Sequence, residues 1–297
     1  MNPREAGFLL LSSQLGDPGR RPLTTAQLRV LADRAWQLDV SDMDRQLTEK
    51  DLLSLGYGSD MAQRILRLLG DMELLEHYVR HGAKYGCVPI TRVSEGYPMR
   101  MRRVLGLDSP GILWAKGDLS LLGRPAVSLV GSRELCEKNR EFAAEVGRRA
   151  AQQGFVLVSG NARGADRTAQ EACLCAGGKV ISVVADELAK LPAGEGVLYL
   201  SEDSYDLEFS AQRAISRNRV IHTMSDRVFV AQCSLKSGGT WDGTVKNLRF
   251  GWSKVFCFRD GSESAVLLQQ MGAETLGVDD LGTLENLEET EKTLFDQ

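Results

Sequence analysis

The chain has 297 residues, 43% of them apolar and 26% charged, with a formal net charge of −4 at neutral pH. That length suits one large domain with a smaller one, and the composition excludes disordered and collagen-like chains. No apolar run reaches the roughly eighteen residues of a membrane span, and residues 1–21 hold a short apolar stretch without a basic leader or a small-residue cleavage site, so a soluble, cytoplasmic protein is expected.

Residues 1 to 80 read as helices. Leu28, Leu31 and Ala35 recur at helical spacing after Thr24-Thr25, and Ile65, Leu68, Leu69 and Met72 do so after Ser59-Asp60, each polar pair being a candidate N-cap. Residues 47–69 have the outline of a helix, a glycine-containing hairpin and a second helix. In some proteins that outline offers amides to a DNA phosphate; here it is read first as a packing or partner-binding module.

Near Cys87 the texture changes to short apolar runs bounded by Gly, Pro and Asp, and a second domain, 81–261, is expected. Its strands are AVSLV (126–130), FVLV (155–158), KVISVV (179–184), VLYL (197–200), RVFVA (227–231) and KVFCF (254–258), β-branched and apolar as strands buried on both faces should be. Phe142, Ala143, Val146 and Ala150 make one helix face that Gly154 ends. Further helices are expected from Arg167 to Ala176, from Ala211 to Met224, and from Asp242 onward. Strands alternating with helices imply a parallel sheet with crossover helices, an α/β fold.

The acidic balance argues at first against nucleic acid. From Gly261 onward, however, Glu263, Glu274, Asp279, Asp280, Glu285, Glu288, Glu289, Glu291 and Asp296 face Lys292 alone, so the remainder of the chain is net positive. Residues 262–297 are therefore expected as an acidic C-terminal tail. The six cysteines show no CxxC spacing and no companion histidines, which speaks against a metal site and for reduced thiols, with Cys173 and Cys175 on different sides of a helix.

In an open parallel sheet the ligand crevice lies beyond the carboxyl ends of the strands. There the sequence places Gly131-Ser132-Arg133, then Ser159-Gly160-Asn161-Ala162-Arg163-Gly164-Ala165-Asp166, and Lys236-Ser237-Gly238-Gly239-Thr240. Glycine lets the backbone approach an anion, amides at a helix N-terminus donate to it, and Arg offers a charged fork, so phosphate is the expected guest. Arg217 and Arg219, with Asn218 between them, add to the patch; two residues apart, they cannot both bond one phosphate, and at least one is expected on the ligand. Asp166 is read as a helix cap and loop brace, and Trp241 as a candidate for base stacking against a core or loop anchor. There is no GxGxxG with a following acid, no GxxxxGK[ST], and no assembly of nucleophile and base, so neither a nucleotide cofactor nor catalysis is expected.

Together VGSR (130–133), SGNARGAD (159–166), SRNRVI (216–221) and SGGT (237–240), in that order, resemble the signature loops of the DNA-processing protein A (DprA/Smf) family, and EGYPMRMRRVLGLDSPGILWAKGDLSLL (95–122) is similar to the approach to that family's extended Rossmann-like domain. The resemblance implies a sterile-alpha-motif-like helical module before it. It also implies non-catalytic, sequence-tolerant binding of single-stranded DNA, with Arg133, Arg163, Arg217, Arg219 and Lys236 near the strand, a homodimer, and help in loading the RecA recombinase during transformation or repair. The sequence departs from the family at Gln170 (usually His), Gln232 (usually Glu) and Ala214-Ile215 (usually Phe-Pro), is shortened after VISVV, and has the acidic segment where many members carry a winged-helix module. Two alternatives stand beside it: a nucleotide-binding sensor, and a nucleotide phosphoribohydrolase resembling the lysine-decarboxylase-like LOG proteins. The latter carry PGGxGTxxE, whereas this chain has KSGGTWDGTVKN with no glutamate at the needed offset.

Overall fold

A computed structural model describes residues 1–35, 38 and 46–285. The amino-terminal helices are α1 (Pro3–Ser12), α2 (Thr25–Ala35), α3 (Glu49–Ser54), α4 (Ser59–Gly70) and α5 (Met72–Lys84). Thr24 caps α2, its Oγ1 accepting from the Gln27 amide while its own amide donates to the Gln27 side chain. The α4 start differs from expectation: Gly58 is the cap residue and makes no side-chain hydrogen bond. Leu31, Leu52, Ala62, Ile65 and Leu68 form the core of this helical part. The next helix, α5, packs tightly on residues of the sheet domain, because a Cβ on its Gly82 would lie 2.9 Å from Trp114 and 3.0 Å from Tyr205.

The strands are β1 (Cys87–Thr91), β2 (Ile112–Lys116), β3 (Ala126–Val130), β4 (Val156–Ser159), β5 (Lys179–Val184), β6 (Val197–Glu202), β7 (Arg227–Val230), β8 (Lys254–Phe258) and β9 (Glu274–Leu276). They form one sheet in the order β1-β2-β6-β5-β4-β3-β7-β8-β9, parallel from β6 to β9, with β1 and β2 added antiparallel at one edge. The later helices are α6 (Met99–Leu105), α7 (Glu137–Gln152), α8 (Ala165–Cys175), α9 (Ala211–Ser216), α10 (Asn218–Met224), α11 (Gly238–Phe250) and α12 (Glu263–Gln270).

Strand alternation divides the core into two layers. Leu129, Leu157, Phe229 and Phe256 face α7 and α8, where Phe142, Val146, Ala169 and Cys173 are buried. Val130, Val158, Ile181 and Val228 face the other way, onto Met101, Val220, Ile221, Trp241 and Leu268. Helix α7 touches α8 so closely that a Cβ on Gly147 would sit 2.2 Å from the Ala169 carbonyl.

Two observations go beyond the sequence reading. The helix expected over 211–224 breaks at Arg217 into α9 and α10. The segment from residue 262, expected as a tail, supplies α12 and the ninth strand, and Leu276, Leu281 and Leu284 join the core. The remainder of that segment, 286–297, with Glu288, Glu289, Glu291, Lys292 and Asp296, lies outside the described residues. Cys173 is buried and Cys175 exposed, as their spacing requires.

Candidate functional site

In the strand order, β3 stands between β4 on one side and β7 on the other, so the chain winds outward in both directions from β3 and its loop and those of its two neighbours part there. The three glycine-rich loops emerge at that parting. They enclose a cavity of about 660 Å³ whose walls include Gly131, Ser132 and Arg133 from the first loop and Ala162, Arg163 and Asp166 from the second. The third wall is Ser237, Gly238, Gly239 and Thr240, and Arg217 with Asn218 closes the fourth.

Close backbone contact locks the loops together. The Ser132 amide donates to Gln232 O at 2.8 Å, the Ala165 amide to Ser132 O at 3.1 Å, and Thr240 Oγ1 to Gly131 O at 3.0 Å. Asn218 Nδ2 donates to Gly239 O at 2.9 Å, tying the start of α10 to the start of α11. Gly164 is required twice over: its φ is +88°, and a Cβ there would lie 2.4 Å from Ser132 O and 2.5 Å from Arg133 O.

Arg217 is the unusual member of the set. It is 7% exposed, lies against Gly160, and its Nη2 stands 3.8 Å from Asp166 Oδ2, beyond hydrogen-bonding distance. Its buried Nε has no hydrogen-bond partner among the described residues. Burial drags its pKa down while Asp166 holds it up, yet an arginine keeps its proton in any protein environment. A buried cation with an unsatisfied donor costs about 1–3 kcal/mol, which an anion in the adjoining cavity would offset. Asp166 accepts from the Ala162 amide at 3.2 Å; burial raises its carboxyl, with Arg217 as the largest opposing influence.

The other feature that selects an anion is the start of α11. Ser237 occupies the cap position without a side-chain hydrogen bond to the first turn, so the amide end of a 13-residue helix meets the cavity at Gly238–Thr240 with its partial positive charge.

The remaining expected residues divide by position. Arg133 is exposed on the cavity wall and makes no ion pair among the described residues, while Arg163 is exposed there and pairs with Glu134 at 3.3 Å. Lys236 is exposed beside the wall residue Ser237, with a φ of +53°. Ser159, Gly160, Asn161 and Gly164 do not line the cavity; they shape it, Ser159 through a hydrogen bond to Leu129 O and Asn161 through a φ of +61°. Arg219 points elsewhere: it pairs with Glu202 at 2.6 Å and donates to Asp108 O at 3.1 Å, because the helix break sends the two arginines of the motif in different directions. Trp241 is 7% exposed and belongs to the core, so it presents no face to a base. Sequence reasoning passed over Arg213, whose guanidinium donates to Ala185 O, Leu207 O and Ser201 Oγ and so anchors the segment leading into α9.

Comparison with known proteins is decided by residues 89–245, which match the family model described as DNA recombination-mediator protein A. The chain belongs to that family. The DNA processing protein DprA of Streptococcus pneumoniae is 32% identical over 156 residues, covering 49% of this chain and 54% of that protein. Its X-ray structure superposes with a TM-score of 0.59 and 25% identity over 86% of this chain and 95% of that one. A Helicobacter pylori DNA processing protein A, described for its single-stranded DNA binding mode, gives a TM-score of 0.56 at 22% identity over 70% of this chain and 96% of that one, a likeness of fold. The chain spans about half the length of the first curated relatives it matches. Within the family match, the atypical Gln232 still serves its loop, its Oε1 accepting from the Cys136 amide, and Gln170 is buried and donates to Ser182 Oγ. Among the described residues no group of three or more His, Cys, Asp or Glu is placed to hold a metal ion, and no helix is long and apolar enough to cross a membrane.

Proposed function

We propose that this chain holds single-stranded DNA by its phosphates in the loop cavity and performs no chemistry on it, acting in the cytoplasm as a recombination mediator. The observation that carries this reading is Arg217: a buried, under-bonded guanidinium on the wall of the same cavity that receives the uncapped start of α11. A buried cation sharing a cavity with helix amides suits a phosphate diester. Arg133, Arg163 and Lys236, exposed around the cavity, are placed to meet neighbouring phosphates of the strand, and Asp166 braces the loop beneath them. A single strand can bend its backbone into the recess between loops, which a duplex held stiff over roughly 150 base pairs does not do cheaply. The single-stranded DNA binding described for the Helicobacter pylori protein of like fold agrees with this reading.

Binding of a labelled oligo-dT to the full chain, titrated with salt, tests the proposal. With roughly four phosphates neutralised, log K should fall against log salt with a slope of about −3, and the Arg133→Ala, Lys236→Ala double variant should reduce both affinity and slope. Duplex binding equal to single-strand binding, or an unchanged affinity in the double variant, would refute the assignment. The mediator role adds a homodimer and delivery of the strand to RecA; light scattering of the purified chain and co-precipitation with RecA on and off DNA check those two. Because the cavity is also of a size for one nucleotide, AMP is the competitor to include. Its failure to displace the oligonucleotide, with no release of adenine, is the expected result.

A further inference from the structure

Arg213 lies on α9, one turn before the break at Arg217, and its guanidinium joins separate parts of the chain. Nη1 donates to Ala185 O at 2.6 Å, just past the end of β5, and to Leu207 O and Glu208 O at 2.8 Å each, in the connection that leads into α9. Nη2 donates to Ser201 Oγ at 2.8 Å, near the end of β6. One side chain thus ties a six-residue helix to the carboxyl ends of two adjacent strands.

A helix of that length is not stable alone and ordinarily gains its place by burying an apolar face; α9 buries none of its six residues. Its apolar residues Ala211, Ala214 and Ile215, which share one face, instead line the loop cavity. Arg213, on a different side of the helix, borders a separate chamber of about 20 Å³ with Glu202, Ser216 and Arg217. The link from Arg213 to Arg217 is direct: the Arg217 amide donates to Arg213 O at 3.0 Å, while the Val220 and Ile221 amides of α10 donate to Arg217 O at 3.0 and 3.2 Å. Helix α10 is held by its buried Val220 and Ile221 and α9 by Arg213, so the two together set the direction in which the Arg217 side chain leaves the break and passes beneath Gly160.

We propose that Arg213 is a positioning residue of the phosphate cavity: it seats α9 so that Arg217 meets the strand, and does not itself touch the strand. This rests on the phosphate-binding reading above. The choice of arginine fits the role, because a lysine would keep the charge and lose the fork: one ammonium nitrogen cannot serve the acceptors that two guanidinium nitrogens reach. Charge and placement at residue 213 can therefore be separated by substitution.

The test is fluorescence anisotropy of the full chain with oligo-dT, paired with thermal unfolding of each variant. Arg213→Lys and Arg213→Ala should both weaken binding about tenfold, through loss of the Arg217 contact. Gly160→Ala, whose Cβ would lie 1.4 Å from Arg217 Nη1 and so displaces that guanidinium, supplies the other side of a double-mutant cycle. In that background Arg213→Lys should cost only about twofold or less, because the contact it supports is already gone. Wild-type affinity in Arg213→Lys, or an undiminished tenfold loss in the Gly160→Ala background, overturns the positioning role while leaving the phosphate cavity standing. Failure of both Arg213 variants to fold overturns it too, since Arg213 would then carry the fold and not the site. Absence of oligonucleotide binding by the wild-type protein overturns the phosphate reading and this proposal with it.

Discussion

Gly160→Ala isolates the role of Arg217 without touching its charge. A Cβ at residue 160 would lie 1.4 Å from Arg217 Nη1 and 2.1 Å from its Cζ, so the guanidinium must move by about 2 Å to reach ordinary van der Waals distance. The backbone at Gly160 has no positive φ, so the alanine introduces no strain of its own. The open space beside Arg217 is the cavity it lines, and the displaced guanidinium enters it, leaving Asp166 behind and filling the volume assigned to a phosphate. Losing one charge-assisted hydrogen bond to the strand costs about 1.5–3 kcal/mol, a 10- to 150-fold weakening of binding. The fold should survive, because what moves is the end of a flexible side chain rather than backbone. The assay is oligo-dT anisotropy paired with thermal unfolding, and the control is Gly58→Ala, where an added Cβ meets nothing within 4 Å. Wild-type affinity in a folded Gly160→Ala protein would refute the placement of Arg217 on the ligand.

Other perturbations read the scaffold. Burial pushes the Glu202 carboxyl up to about 7, against the pull of Arg219; a raised acid gives stability below its unfolded value near 4.5 that is lost as pH rises toward 7, by up to about 3 kcal/mol. Burial holds His222 down at about 3, so the stability it confers is full above its unfolded value near 6.5 and lost as pH falls below that. The two slopes oppose each other between pH 4.5 and 6.5. Urea unfolding should therefore show stability rising with pH across that window in Glu202→Gln and falling in His222→Leu; parallel slopes in the two variants would show that neither group is perturbed. Gly147→Ala should destabilise by about 1–3 kcal/mol through overpacking of α7 on α8, measured as a lower urea midpoint.

The six parallel strands β3 to β8 were legible because each is a short β-branched apolar run that must be buried on both faces, and burial leaves its mark on composition. The strands that escaped lack that mark. In β1, Pro89 interrupts an edge strand that needs no central ladder, β2 is joined to it antiparallel after Pro110-Gly111, and β9 is three residues long. The acids that dominate the composition after residue 261 hid the apolar residues among them: Leu276, Leu281 and Leu284 are core residues within a segment read from its charge. Trp241 carried a usable signal, since Trp241, Val245 and Leu248 recur at helical spacing and all three pack on the same core cluster.

At the site, the glycines were readable and the division of labour among the cations was not. Glycine next to a strand end signals close approach, and a Cβ would collide with Ala165 at Gly131, with the Arg217 guanidinium at Gly160 and with the Ser132 and Arg133 carbonyls at Gly164. A cation's role depends on which way its helix turns, and the break at Arg217 decides that: Arg217 goes under Gly160 onto the wall of the loop cavity, and Arg219 turns away to pair with Glu202. The consequence is a site with two kinds of positive charge. On the proposed reading Arg133 and Lys236, exposed to solvent, would attract the strand through a field that salt screens within about 10 Å. Arg217, desolvated beneath Gly160, would be screened far less, so the affinity expected to survive at high salt is the share that Gly160 and Arg217 supply together.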